Sequence, residues 1–266
     1  MLGIVKQVNV AGKTGSFHKA NYPKQDPDDG SNIQLTIDLE YQSILQEELQ
    51  RRIDESGAKG AMGILMDPQN GDILAMASLP DFDLNNPNIT PLENQKNKVI
   101  TDQFEPGSTF KIVAATAALN TGKVSLNDEF NCEVGKFEFD GWTISDHEKF
   151  GVLTFPQIIA NSSNVGVIKI AQIIGKEPLY RLSRNYGFGT PTGISFPGES
   201  HGILRQKKDW SKMSLASVSI GYEVGVTALQ IASAYSAIAN GGVLLKPQIV
   251  RQIISNKGEL LYKSKP

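Results

Sequence analysis

The stretch Phe104-Glu105-Pro106-Gly107-Ser108-Thr109-Phe110-Lys111 constrains this chain more than any other. Pro106 and Gly107 break the chain just before an apolar helical run, Phe110, Ile112, Val113, Ala114, Ala117 and Ala118, which ends near Asn120 and Gly122. Ser108 therefore falls at the mouth of a helix, and Lys111, three residues on, shares its helical face. A serine hydroxyl becomes a useful nucleophile only beside a group that takes its proton. Lysine can do so only when neutral, a state favoured by burial in a low-dielectric cleft near the positive end of a helix dipole. The competing reading is an exposed serine that caps the helix. Ser16 to Lys19 repeats the spacing inside a polar segment with no helix behind it, and is read as chance.

At 266 residues the chain holds one large domain or two small ones. A net charge of −2 gives no indication of nucleic acid or an anionic membrane surface as partner. One cysteine, Cys132, excludes an internal disulfide and leaves the compartment open. No apolar run is long enough to span a bilayer, and the first residues lack a signal-peptide pattern, so any anchor is expected outside this sequence.

Taken in order, Ile4 to Val10 reads as a short strand and the polar, proline-rich stretch around Tyr22 to Gly30 as a linker. Ile33 to Ile37 alternates like a strand, and Asp38 can cap a helix whose inner face carries Tyr41, Ile44, Leu45, Leu49 and Ile53. Met62–Met66 and Ile73–Ala77, joined by Asp67-Pro68-Gln69-Asn70-Gly71, predict a hairpin. Pro80 to Asn97 is a polar loop. Residues 128–150 read as irregular, with Cys132, Phe137, Phe139 and Trp142 as packing residues, before helical spacing from Leu153 to Ala160. Asn161-Ser162-Ser163-Asn164 interrupts that spacing, which resumes over Val165–Ile174. Such a polar cluster between apolar helices costs stability unless its groups are bonded or used. Ser162 or Ser163 as an N-cap is one explanation, and Ser183-x-Asn185 is a rival copy of the Ser-x-Asn spacing. Tyr186 to Gly193 is turn-rich, and Ser217 to Gly225 is punctuated by glycine. Thr227 to Asn240 is helical and stopped by Gly241 and Gly242; Val243 to Tyr262 is strand-like, turning at Asn256-Lys257-Gly258.

Phe104 to Lys111, Ser162-Ser163-Asn164, and the block from Gly221-Tyr222-Glu223-Val224-Gly225-Val226-Thr227 to Ala239-Asn240-Gly241-Gly242 together resemble a penicillin-binding protein. The resemblance is closest to the class B transpeptidases of cell division and elongation, and covers residues 30–266 almost continuously. It implies an α/β (α+β) fold of the penicillin-binding protein transpeptidase or serine β-lactamase type, with an antiparallel sheet flanked by helices and a helical lobe carrying Ser162 and Asn164. It also implies a division into residues 1–34, belonging to a preceding non-catalytic region, and a transpeptidase domain over residues 35–266.

By the same resemblance Ser108 attacks the penultimate D-alanine carbonyl of a peptidoglycan stem peptide and expels the terminal D-alanine. Lys111 takes the serine proton, Ser162 relays a proton to the leaving group, and Asn164 holds the substrate amide while bonding Lys111. An amine from a second stem then resolves the acyl-enzyme. The Ser108 N–H supplies half of an oxyanion hole, a kind of donor whose loss costs about 10² to 10³ in rate. Expected partners are peptidoglycan stem peptides ending in D-Ala-D-Ala, β-lactam antibiotics and other cell-wall synthesis proteins. Neither cofactor nor metal is expected, and the expected place is the outer face of a bacterial cytoplasmic membrane.

The family's Lys-Thr-Gly strand, which lies beyond the Ala-Asn-Gly-Gly block, does not occur before Pro266. Lys13-Thr14-Gly15 stands near the N-terminus instead. Either the order is permuted and these residues complete the site, or Val8 to Lys13 resembles the strand that precedes the domain and the match is coincidental. The second reading is preferred, because a polar linker and not two further strands follows Gly15. It carries the expectation of a truncated domain with reduced stability and weak activity on its own. Two other functions stay open: a serine β-lactamase or D,D-carboxypeptidase of the same fold, and a catalytically silent cell-wall scaffold.

Overall fold

A computed structural model describes residues 30–265. The expected strand at Ile4–Val10, the linker ahead of Gly30, Lys13-Thr14-Gly15 and the Ser16–Lys19 copy lie outside the described residues.

In chain order the strands are β1 (Asn32–Leu35), β2 (Ala61–Met66), β3 (Ile73–Leu79), β4 (Glu129–Asn131), β5 (Lys136–Phe139), β6 (Trp142–Ser145), β7 (Val152–Thr154), β8 (Ile203–Leu204), β9 (Val224–Gly225), β10 (Val250–Ile254) and β11 (Leu260–Lys263). The helices are α1 (Leu39–Ser56), α2 (Lys98–Thr101), α3 (Lys111–Thr121), α4 (Phe155–Ala160), α5 (Asn164–Ile174), α6 (Lys176–Asn185), α7 (Lys212–Ser219) and α8 (Ala228–Ala239). Every ladder between named strands is antiparallel. The mixed α/β architecture expected from the sequence is the one observed.

The chain forms two compact units. The described part of the smaller is a three-stranded sheet in the order β1-β10-β11. Its β10–β11 turn is closed by Ser255 N–H to the Glu259 carbonyl at 2.8 Å, with Gly258 at φ +85°, where glycine carries no β-carbon penalty.

The larger unit, Ile37–Ile249, carries both apolar cores. The bigger core surrounds α3 and α5, whose near-continuous apolar sequence leaves little to face water: Phe110, Val113, Ala114, Ala118, Val165 and Ile168 are all fully buried. Phe110 meets Phe188 at a centroid distance of 4.9 Å, tilted by 53°, which docks the turn-rich stretch after α6 onto the start of α3. The smaller core, built on Ile73, Val99, Ile100, Ile194 and Leu229, lies at the β2–β3 hairpin.

Asp38 caps α1, its Oδ1 accepting from Glu40 and Tyr41 N–H, and Gly57 ends the helix at φ +67°. The inward face is narrower than the spacing predicts. Leu45, Leu49 and Ile53 are half-buried, whereas Tyr41 and Ile44 are exposed. Gln42 packs instead, its amide bonding both the N–H and the C=O of Met76 on β3.

Residues 128–150 are not irregular. β4 pairs with β7 and β5 with β6, the second pair turning at Asp140 and Gly141, both at positive φ as a two-residue hairpin loop requires. Cys132 is buried and Phe137 and Phe139 pack on the core, but Trp142 is largely exposed. Helix α7, for which the sequence reading has no counterpart, runs into the start of the glycine-punctuated stretch Ser217–Gly225 and is capped by Ser211 Oγ accepting from Ser214 N–H at 3.0 Å.

Candidate active site

Gly107 to Phe110 form a single 3₁₀ turn that runs directly into α3. Ser108 thus sits in a tight turn one step ahead of the helix, with its side chain exposed, and Lys111 is the first residue of the α-helix proper. Thr109 closes the turn from within, its Oγ1 donating to the Pro106 carbonyl at 2.8 Å, and Tyr235 of α8 donates to the Thr109 carbonyl at 2.9 Å.

Lys111 is the one buried lysine of the described residues, 3% exposed. Its ammonium donates to the Ser162 carbonyl and, at 3.0 Å, to the Ser162 hydroxyl. Burial pushes its pKa down from 10.5 to about 8, and the charge of Asp146 opposes that fall. At pH 7 a group with that pKa is neutral in about one molecule in ten, against fewer than one in a thousand for a free lysine. A base is therefore present beside the serine turn.

The Ser162-Ser163-Asn164 break divides its work. Ser163, fully buried, is the N-cap of α5, accepting from Gly166 N–H at 2.9 Å. Ser162 stands at φ +53°, a left-handed conformation that turns it toward Lys111 and out of the capping role. Asn164 does not bond Lys111 as expected. Its side-chain amide donates to the Ser145 carbonyl at 2.9 Å, fastening the start of α5 to the end of β6. The structure thus joins Lys111 to Ser162, with Ser108 in the turn that leads into the same helix and Asn164 directed to Ser145. The rival copy is structural: Ser183 is buried inside α6 and donates to the Leu179 carbonyl one turn back.

Asp146 is the residue that sequence reading passed over. Its Oδ2 accepts from Ser163 Oγ at 2.7 Å, and its Oδ1 accepts from the N–H groups of Asn164 and Val165. A carboxylate at the N-terminus of α5 satisfies orphan donors and the helix dipole together. It also fixes the segment carrying Ser162.

Among the described residues no three His, Cys, Asp and Glu side chains converge in a way that would hold a metal ion.

Residues 61–266 match the family model for the penicillin binding protein transpeptidase domain. The chain belongs to that family. The class B reading stands with it. The probable peptidoglycan D,D-transpeptidase PbpC of Pseudomonas aeruginosa is 36% identical over 231 residues, 87% of this chain and 41% of that protein. The penicillin-binding protein PbpB of Mycolicibacterium smegmatis is 35% identical over 91% of this chain and 38% of its own length. The chain therefore spans about two fifths of the length of these curated relatives. Among solved structures, penicillin binding protein 3 of Mycobacterium tuberculosis, complexed with ampicillin, aligns with a TM-score of 0.82 at 31% identity, covering 91% of this chain and 54% of that one. The transpeptidase domain of Burkholderia pseudomallei penicillin-binding protein 3 aligns with a TM-score of 0.74 at 31% identity, over 87% of this chain and 64% of that one. The matched residues include the sequence patterns Ser108-x-x-Lys111 and Ser162-x-Asn164.

Proposed function

We propose that this chain is the transpeptidase domain of a class B penicillin-binding protein that cross-links peptidoglycan stem peptides through an ester on Ser108. The observation that carries the reading is the buried Lys111 amine, its pKa lowered to about 8, one helical turn from Ser108 and bonded to Ser162. Neutral Lys111 takes the Ser108 proton as Oγ bonds the penultimate D-alanine carbonyl carbon. The carbon–nitrogen bond to the terminal D-alanine then breaks, and the proton held on Lys111 passes through the Ser162 hydroxyl to the departing amine. An acceptor amine reverses the sequence: its nitrogen bonds the carbonyl carbon, the ester oxygen leaves, and Ser108 regains its proton. Asn164, anchored on β6, lines the approach for the substrate backbone. Neither metal nor cofactor enters these steps.

β-Lactams act as acylating analogues of the stem, as the ampicillin complex of the mycobacterial relative suggests. The reaction takes place on the outer side of a cytoplasmic membrane, with residues 1–34 leading into the domain from a preceding region. No helix among the described residues is long and apolar enough to cross a membrane itself.

Incubation with benzylpenicillin followed by intact-mass measurement tests the reading. A stoichiometric, slowly released adduct that vanishes in Ser108→Ala is expected. Steady drug hydrolysis identifies a β-lactamase or carboxypeptidase instead, and a folded protein with no adduct identifies a truncated domain or a scaffold.

A further inference from the structure

The turn that carries Ser108 is held from one side by Gly221–Val226. Phe104 and Val226 exchange both backbone hydrogen bonds, each 3.0 Å, and Gly107 N–H donates to the Gly221 carbonyl at 3.1 Å. A fourth bond differs in kind, since Glu223 N–H donates to the Glu105 carboxylate at 2.9 Å, joining the two segments through a side chain.

Glu223 itself stands at φ +57°, a left-handed conformation uncommon for a residue with a β-carbon. Such a conformation persists only where the surroundings over-determine it. Here they do. Arg205 forms an ion pair with Glu223 Oε2, and Ser214 Oγ donates to the same oxygen at 2.8 Å. Ser214 is 1% exposed and locked by reciprocal bonds with Ser211 at the start of α7. The Arg205 carbonyl in turn accepts from the indole N–H of buried Trp210 at 3.0 Å. Both grips on the Glu223 carboxylate are therefore fastened to the core. Relaxation to a negative φ would turn its N–H away from Glu105.

We propose that Glu223 is a positioning residue: its side chain, held by Arg205 and Ser214, keeps its own backbone N–H on Glu105 and thereby sets the turn that presents Ser108. The inference rests on Ser108 being the nucleophile.

Glu223→Gly separates the two roles a structural residue could play. Glycine adopts φ +57° freely, so a purely conformational requirement is met, while the grip of Arg205 and Ser214 is lost. Three quantities are read: amide exchange at Gly107, acylation by a reporter β-lactam resolved into affinity and acylation-step rate, and Tm. For Glu223→Gly, exchange at Gly107 about tenfold faster is expected. Acylation should slow roughly ten- to a hundredfold at unchanged affinity. Tm should stay close to that of the parent. Glu223→Gln, which keeps an oxygen for Ser214, should fall between. Parent-like exchange and acylation in Glu223→Gly would overturn the proposal, as would faster exchange spread over the whole chain with a lowered Tm. If the parent takes no adduct at all, the nucleophile reading fails. Exchange then decides the grip alone: acceleration confined to residues 104–110 sustains it, and no acceleration ends it.

Discussion

A β-carbon placed on Gly221 would lie 2.1 Å from the carbonyl oxygen of Gly107, so the turn that presents Ser108 is in direct backbone contact with the segment behind it. Gly221 also stands at φ +85°. Gly221→Ala therefore meets two penalties, the left-handed strain of about 1–2 kcal/mol and an overlap with backbone that cannot rotate away. The expected outcome is a loss of about 3 kcal/mol of stability and at least a hundredfold loss of acylation. Gly107→Ala makes the contrast, because Gly107 is at φ +55° but a β-carbon there meets nothing within 4 Å. Only the strain remains, about 1 kcal/mol. Thermal unfolding and acylation of the two variants side by side check the order; equal losses would mean that the close approach is not what matters.

The second prediction concerns Asp146, whose charge raises the pKa of Lys111 against the larger effect of burial. Replacing it with asparagine keeps the shape and removes the charge, so the Lys111 pKa falls further below about 8. In the proposed mechanism acylation requires neutral lysine and so rises with pH through that value. In Asp146→Asn the rise should shift to lower pH. The helix cap weakens at the same time, costing about 1 kcal/mol. The acylation rate against pH for parent and variant is the measurement, and coincident profiles would show that Asp146 only holds the helix.

What the sequence reveals and what it conceals divide along physical lines. Helices α3 and α8, the β2–β3 hairpin and the Asp38 cap follow from local period and local turn chemistry, which need no tertiary information. Ser108, Lys111, Ser162 and Asn164 were singled out from ordered motifs, and of these the structure joins Lys111 to Ser162. The β5–β6 hairpin was legible in principle, since Asp140-Gly141 between alternating Phe137, Phe139, Trp142 and Ile144 is a strong hairpin signal. Asp146 was not, because it meets Ser163 across 17 residues with no fixed spacing to announce it. The same holds for Glu223, whose left-handed backbone depends on Arg205 and Ser214 from elsewhere in the chain. Asn164 shows the limit of motif reasoning: its place was legible, but its partner is the Ser145 carbonyl and not Lys111.

A third prediction tests the packing behind Ser162. A β-carbon on Gly166 would lie 2.7 Å from two carbons of Ile158, which is fully buried. In an exposed helix glycine to alanine gains about 1 kcal/mol. Here the overlap outweighs that gain, and Gly166→Ala should destabilise by roughly 1–2 kcal/mol. Adding Ile158→Ala removes all three crowding carbons, Cγ1, Cγ2 and Cδ1, and should recover part of the overlap cost as a favourable coupling. A double-mutant cycle by denaturant unfolding gives the coupling directly; strictly additive effects would place the strain elsewhere.

The last prediction follows from proton linkage at Lys111. Its pKa is lower in the folded chain, about 8, than in the unfolded one, 10.5. Between those values the unfolded state binds the extra proton, so stability rises as pH rises from about 8 to about 10.5. Below about 8 both states are protonated and the folded state bears the full cost of a buried ammonium, about 3 kcal/mol for a shift of this size. Lys111→Met removes that cost while filling the same space. The variant should be inactive yet more stable than the parent at pH 7, by up to about 3 kcal/mol less whatever the Lys111 bonds to Ser162 contribute. Its advantage should shrink as pH climbs past 8. Unfolding free energies of parent and Lys111→Met from pH 7 to pH 10.5 decide the matter: a constant difference across that range would mean that Lys111 does not change its proton on unfolding, and the neutral base on which acylation depends would be lost with it.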